Sequence, residues 1–520
     1  MSNQQNFKSP ESFLWGVSTS GYQHEGGYNE TGQPCNNWAL WEQQRRVEPT
    51  GNAANFWTRY ASDFQLCQSV GLNSFRLSIE WARVQPTYQT GVTHPPEFDK
   101  QALDAYSDRL AACRRSGLEP LVTLHHFTHP AWLGTDAWLE AQTIEAYLTF
   151  VSTTVTHINR RLTEVEGLAP IRWYITTNEP NILVTNTYFK GDFPGNGRGI
   201  PLALRAYNNL LCAHIRAYNL IHDIYQQEGW SSPSVSLNTY CSDLYWSEKV
   251  IWDLLVSREK QVKKTEMQDY IEQEANQWEK TLAQHNFPFN RDLAYRLGRI
   301  FEKSVNWVGR RWFKAEAVED LLAILQQSKR DRVFDYLALD YYDPFFAHSL
   351  RLPNFSDLEL GRDFRNWLMS SISTKWWDWR HLPEGLFFFC QIYSEAFDRP
   401  ILIAENGMAL RRSLNNRVSP LRYDKLQRSE FLTAHIKQVQ RLQQAGVPLL
   451  GYFHWSLTDN YEWGSYTPRF GLFSLDFTDS SDRLEQDHHG DRPSATYAAL
   501  IRESQGKFEE YEGQNRKFSP

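Results

Sequence analysis

The chain has 520 residues, 41% of them hydrophobic and 14% aromatic, with 20 Trp and a formal net charge of −7. The acidic balance argues against a nucleic-acid binder, which carries a basic excess, and the length admits either several domains or one large barrel. The polar opening MSNQQNFKSPESF, the lack of any run of about 18 apolar residues and six scattered Cys without a C-x-x-C pair predict a cytoplasmic, reduced protein with no secretory leader, spanning segment or zinc motif.

Eight short apolar runs follow in chain order: Phe13 to Val17, Ser74 to Ile79, Pro120 to Leu124, Ile171 to Thr176, Ser234 to Leu237, Tyr336 to Leu339, Ile401 to Ala404 and Leu449 to Phe453. Parallel strands covered on both faces read as such runs rather than as alternation. Helical spacing lies between them. Asp99 to Ser116 carries Leu103, Tyr106, Leu110 and Cys113 at intervals of three and four, with Gly117 at the C-cap, and Glu430 to Ala445 ends likewise at Gly446. Eight strands alternating with helices predict a (β/α)8 TIM barrel. A doubly wound sheet satisfies the same periodicity.

From about 242 to 332, Trp246, Trp252, Trp278, Trp307 and Trp312 stand among many charged residues. This region reads as amphipathic helices inserted between strands five and six. No Pro/Gly/Ser-rich linker sets it apart, so residues 1–520 read as one domain.

Active residues of a barrel come from the C-terminal ends of its strands. After the first run stand Gln23 and Glu25, and after the third His125 and His126. Asn178 and Glu179 follow the fourth, Asp340 and Tyr342 the sixth, and Glu405 and Asn406 the seventh. Trp455, Asp459, Asn460, Glu462 and Trp463 follow the eighth. Two carboxyls at separate strand ends suit a reaction that needs one proton donor and one nucleophile, as glycoside hydrolysis does. Adjacent His125 and His126 on a strand point to opposite faces, so a shared metal site is not expected. The glycines of Gly195 to Gly199 lack the Lys-Ser/Thr of a phosphate loop and read as a turn.

The set FLWGVSTSGYQHEG, LHHFTHPAW, TTNEP, IAENG and WSLTDNYEW…RFGL resembles glycoside hydrolase family 1, the β-glucosidase family. The resemblance runs from about Phe13 to Leu472. It implies Glu179 as acid/base and Glu405 as nucleophile of a retaining exo-β-glycosidase that needs no cofactor or metal. It implies further that Asn178 binds the sugar 2-OH, that Gln23, His126, Glu462 and Trp463 bind the hydroxyls at positions 3, 4 and 6, and that Trp455 stacks under the ring. Arg76 and Tyr342 would hold the nucleophile ionised and oriented. The partner implied is a small-molecule β-glycoside. Glu179 stands where plant thioglucosidases carry Gln. Glu462 stands where 6-phospho-glycosidases carry a phosphate clamp, and a carboxylate repels a sugar phosphate, so a neutral hexoside is implied.

Two departures stand out. Asp340 replaces the Asn that usually precedes Tyr-Tyr, and the 242–332 region lacks the family's Gly-Trp-Phe and Gly-Tyr-Pro landmarks. Its helices either thicken the barrel wall, shape an apolar aglycone pocket that one of Trp376, Trp377 and Trp379 also lines, or touch a membrane surface peripherally. Hydrolysis of β-glucosides is the primary expectation. Galactosides or fucosides as substrates, transfer to an alcohol or lipid acceptor, and a non-catalytic sugar-binding role are the alternatives.

Overall fold

The eight apolar runs become eight parallel strands that close on themselves. A computed structural model describes residues 12–349, 374–412, 422–477 and 479–516. The strands are β1 (Leu14–Ser18), β2 (Ser74–Ser78), β3 (Glu119–Thr123), β4 (Trp173–Asn178), β5 (Ser234–Tyr240), β6 (Leu337–Tyr341), β7 (Ile401–Asn406) and β8 (Leu449–Trp455). Each pairs with the next, and β1 pairs with β8 in the register Leu14↔Gly451 to Ser18↔Trp455, which closes the barrel. A doubly wound sheet is thereby excluded.

The barrel interior is filled by side chains that alternate inward, among them Leu121, Trp173, Ile175, Tyr336, Leu402 and Phe453, all buried. Gly16 is required by that packing, because a Cβ there would lie 2.5 Å from the Phe453 ring. The interior is a packed core rather than a pore, so the only place for chemistry is the open rim.

Helices wrap the outside: α1 (Phe56–Val70), α2 (Lys100–Arg115), α3 (Gln142–Arg160) and α4 (Ile200–Glu228) on one arc, and α9 (Pro383–Phe397), α10 (Arg428–Gln444) and α11 (Pro493–Arg516) on the other. Side chains at the helix starts fix two of these elements. Asp99 caps α2 by accepting from the N–H groups of Gln101 and Ala102 at 2.8 and 3.1 Å. Gln427 and Glu430 form a reciprocal capping box on α10. Between β5 and β6 lie four further helices, α5 (Lys249–Val256), α6 (Met267–Gln284), α7 (Leu293–Trp312) and α8 (Glu319–Gln327).

Several strands run further than their apolar stretches. β5 continues through Asn238 to Tyr240, β7 through Glu405 to Asn406, and β8 to Trp455. Of these end residues Tyr240, Glu405 and Trp455 line the barrel mouth, where apolar character is not demanded, whereas Asn406 is satisfied by the Tyr341 carbonyl and the Tyr452 hydroxyl. The ladder slips between Leu339 and Asp340, between Ile175 and Asn178, and between Ile403 and Asn406. Such irregularities re-aim side chains at barrel rims, and here they coincide with the polar layer.

Candidate active site

Register brings the polar residues together. Asn178 is the cross-strand partner of Asn238, Tyr240 of Asp340, and Asp340 of Glu405. Glu179 follows β4 directly and sits at φ 37°, ψ 64°. That is left-handed backbone, sparsely populated by a non-glycine residue and characteristic of functional sites.

Glu405 is held from two sides. Arg76 Nη1 donates to its Oε1 at 2.5 Å, and the Tyr342 hydroxyl donates to its Oε2 at 2.8 Å. Arg76 is itself fully buried and fixed, donating also to Thr123 Oγ1 at 2.9 Å and Asn178 Oδ1 at 2.6 Å. Asn178 Oδ1 receives a second bond from Asn238 Nδ2 at 2.8 Å. With its oxygen doubly occupied, the buried Asn178 amide nitrogen has no protein partner and presents a free donor to the cavity.

Glu179, Asp340 and Glu405 each offer an oxygen within 4.8 Å of the others, and all three are buried. Burial first, and then the charge of Glu405, hold the Glu179 carboxyl well above the usual carboxylate range. Asp340 is raised likewise, by burial, then by Glu405 and Glu179. Burial raises Glu405 too, but the Arg76 charge and the bonds from Tyr342 and Arg76 pull against it. The surroundings therefore pull the three carboxyls apart: those of Glu405 favour its ionised form most, while those of Glu179 and Asp340 push towards the protonated form. The three carboxyls are the one group spaced for a metal ion among the described residues. Arg76 already supplies a cation at Glu405.

A cavity of about 920 Å³ opens over this layer. Eight of the ten side chains expected at the site line it: His126, Asn178, Glu179, Tyr342, Glu405, Trp455, Glu462 and Trp463. The other two stand immediately behind, Arg76 against Glu405 and Gln23 against Glu462, to whose Oε2 Gln23 Nε2 donates at 2.9 Å. Trp455 Nε1 donates to Glu462 Oε1 at 2.9 Å, and burial pushes the Glu462 carboxyl up to about 7. His126 stacks between Trp455 and Trp463, with centroids 5.9 and 5.8 Å away. Burial and Arg76 keep it neutral, so its ring can both donate and accept. His125 faces away and accepts from Trp138 at 3.2 Å. The backbone N–H of Asn196, within the Gly195–Gly199 turn, donates to the Asp136 carboxylate, a pairing unsuited to a phosphate.

Two residues at the rim escaped the sequence reading. Asn238 bridges Asn178 and Asp340. Tyr240 stacks on Tyr342 with centroids 5.7 Å apart and bonds to the Asp343 carbonyl. Both stand at the end of β5, just past the fifth apolar run, where the strand-end rule applied to the other strands finds them. Trp376, Trp377 and Trp379 all line the cavity.

Known proteins share this architecture. The chain matches the model of glycosyl hydrolase family 1 over residues 4–504. It is 26% identical over 560 residues to a protein named beta-galactosidase from Sulfolobus acidocaldarius, covering 98% of this chain and 97% of that one. It is 25% identical to beta-glucosidase A of Thermotoga maritima, covering 91% and 94%. It is also 25% identical to a 6-phospho-beta-galactosidase of Clostridium acetobutylicum, covering 90% and 92%. The fold of a Thermotoga maritima beta-glucosidase crystallised with galacto-hydroximolactam superposes with a TM-score of 0.64 at 21% identity, covering 95% of this chain and 98% of that one. With a closed eight-stranded barrel and a family match along nearly its whole length, the chain belongs to glycosyl hydrolase family 1.

Proposed function

We propose that the protein is a retaining exo-β-glycosidase that removes terminal, non-reducing β-D-glucosyl residues. The observation that carries this reading is the Glu179–Glu405 pair, with carboxylate oxygens within 4.8 Å. Retaining enzymes hold their carboxyls ~5–5.5 Å apart, whereas inverting ones need about 6.5–9.5 Å to admit a water.

In the first step Glu405, ionised beside Arg76, attacks the anomeric carbon. Glu179 gives its proton to the glycosidic oxygen, and the aglycone departs. Glu405 is then an ester and carries no charge, so its contribution to the raised Glu179 pKa vanishes. Glu179 becomes the better base, takes a proton from water, and the water displaces Glu405 from the same face the aglycone left. The unpartnered Asn178 amide suits the 2-OH, a contact that strengthens as charge develops at the ring. Gln23, His126, Glu462 and Trp463 would take the remaining hydroxyls, with Trp455 under the ring. Glu462, buried among donors, favours a neutral hydroxyl over a phosphate at that end of the sugar. The six Cys are free and buried, which supports a reducing compartment.

The stereochemistry tests the reading. Proton NMR in the first minutes of hydrolysis of an aryl β-glucoside should show the β-anomer before mutarotation. An initial α-anomer contradicts it.

A further inference from the structure

Five tryptophans lie between β5 and β6, and they part company. Trp246, Trp252 and Trp278 are buried, while Trp307 and Trp312, both on α7 (Leu293–Trp312), are 65% and 50% exposed. They are not alone. Leu293, Leu297 and Ile300, one helical face with Trp307, are each at least 60% exposed. The opposite face of the same helix packs on the protein. A Cβ on Gly298 would lie 2.3 Å from the Ala347 carbonyl and one on Gly309 2.6 Å from Trp246, and Tyr295, Glu302 and Asn306 are buried. A surface helix normally turns its apolar stripe inward. This one turns it outward and is anchored by its small and polar side.

The same helix carries Arg296, Arg299, Lys303, Arg310 and Arg311 against the single acid Glu302, in a chain whose net charge is −7. Arg296, Lys303 and Arg311 are exposed and form no ion pair among the described residues. Cations flanking an outward stripe of Leu, Ile and Trp have the chemistry of a helix lying in the interface of an anionic bilayer. The helix also borders the catalytic cavity. Phe301, Val308 and Trp312 line it together with Trp246 and Phe313. Its volume of about 920 Å³ lies at the upper end of the ~300–1,000 Å³ range of small-molecule sites, leaving a long apolar stretch beyond the sugar.

We propose that α7 docks on an anionic membrane surface and that the substrate is a β-glycolipid, whose acyl portion enters past Phe301, Val308 and Trp312 while its sugar reaches Glu179 and Glu405. This deepens the glycosidase reading and rests on it. The apolar face and the cavity then form one continuous path, so the lipid need not cross water to be cleaved.

The test compares the full chain with a Leu297→Glu/Ile300→Glu/Trp307→Glu variant, none of whose altered residues lines the cavity. Vesicles of phosphatidylcholine alone, or with about 30% phosphatidylglycerol, carry a β-glucosyl diacylglycerol. The unaltered protein should co-sediment with the anionic vesicles, bind the neutral ones less, and release at high salt. The variant should lose binding and lipid cleavage by about tenfold or more, with cleavage of p-nitrophenyl β-glucoside unchanged. If the soluble glucoside is cleaved but neither vesicle is bound, docking is refuted and the glycosidase reading stands. If no glucoside is cleaved, the glycosidase reading itself fails. Equal vesicle binding and lipid cleavage by both proteins refute docking through this face. So does a dimer in light scattering that the variant converts to monomer, which assigns the face to a second copy of the chain.

Discussion

Replacing Arg76 by Met isolates the electrostatic support of the nucleophile. The guanidinium lies 2.5 Å from Glu405 Oε1, with Arg76 fully buried and Glu405 nearly so at the cavity floor. Two unit charges about 4 Å apart at an effective dielectric constant near 20 interact by ~4 kcal/mol. At about 1.4 kcal/mol per pKa unit this bounds the shift at roughly 3 units, and measured neighbours of this kind give about 1–3. Arg76 also lowers Glu179, so its loss raises both carboxyls. The whole bell of kcat/KM against pH should therefore move alkaline, the acid limb by about 1–3 units. The Arg76→Lys variant keeps the charge and should lose rate with little movement of the limb. Stability supplies an independent reading. A carboxyl whose folded pKa is raised contributes stability that is complete below its unfolded pKa and is lost as pH rises through the folded value. Glu405 is raised further in the variant, so the deficit of Arg76→Met against wild type should widen as pH rises through the wild-type Glu405 value and stop widening above that of the variant. A uniform drop in rate with an unmoved acid limb would refute this account and leave Arg76 a merely steric role.

Asp340→Asn keeps the shape that accepts from Asn238 and removes a carboxyl raised by burial, Glu405 and Glu179. By the same sign rule, its stability gain in urea unfolding should grow with pH, at most by about 1.4 kcal/mol per unit; a gain that shrinks would contradict the assignment. Asn178→Ala should depress kcat/KM on glucosides by about a hundredfold and far less on 2-deoxyglucosides, and equal losses would remove its 2-OH role. Gly407→Ala would place a Cβ 2.1 Å from the Trp455 carbonyl oxygen. Two backbones must separate there, so a loss of about 1–3 kcal/mol and a fall in kcat are expected from unfolding and rate measurements.

The barrel was legible because each strand, buried on both faces, must be apolar, and Glu179 and Glu405 were legible because each interrupts such a run at its C-terminal end. The position of Asn238 and Tyr240 just past the fifth run was equally legible, but their roles were not: these arise from pairing with β4 and β6, which position in the chain does not encode. Gln23 was legible as a residue after the first run, but its place behind Glu462 depends on a contact across 439 positions. Periodicity identifies α7 as amphipathic but is silent on which side meets the barrel. Gly298 and Gly309, the positions of closest approach, carry that information, and only the packed partner makes it readable. Asp340 is visible as a departure in sequence, but its pairing with Glu405 emerges from the strand register and its closeness to Glu179 from the folded rim.

The most direct measurement is covalent. A 2-deoxy-2-fluoro-β-glucoside with a good leaving group slows the second step more than the first and should trap the glycosyl-enzyme. Peptide mass spectrometry should then place one fluoroglucosyl unit on Glu405, with none on Glu179 or Asp340. A label on either of those, or steady turnover by a Glu405→Gln variant, would contradict the assignment of the nucleophile.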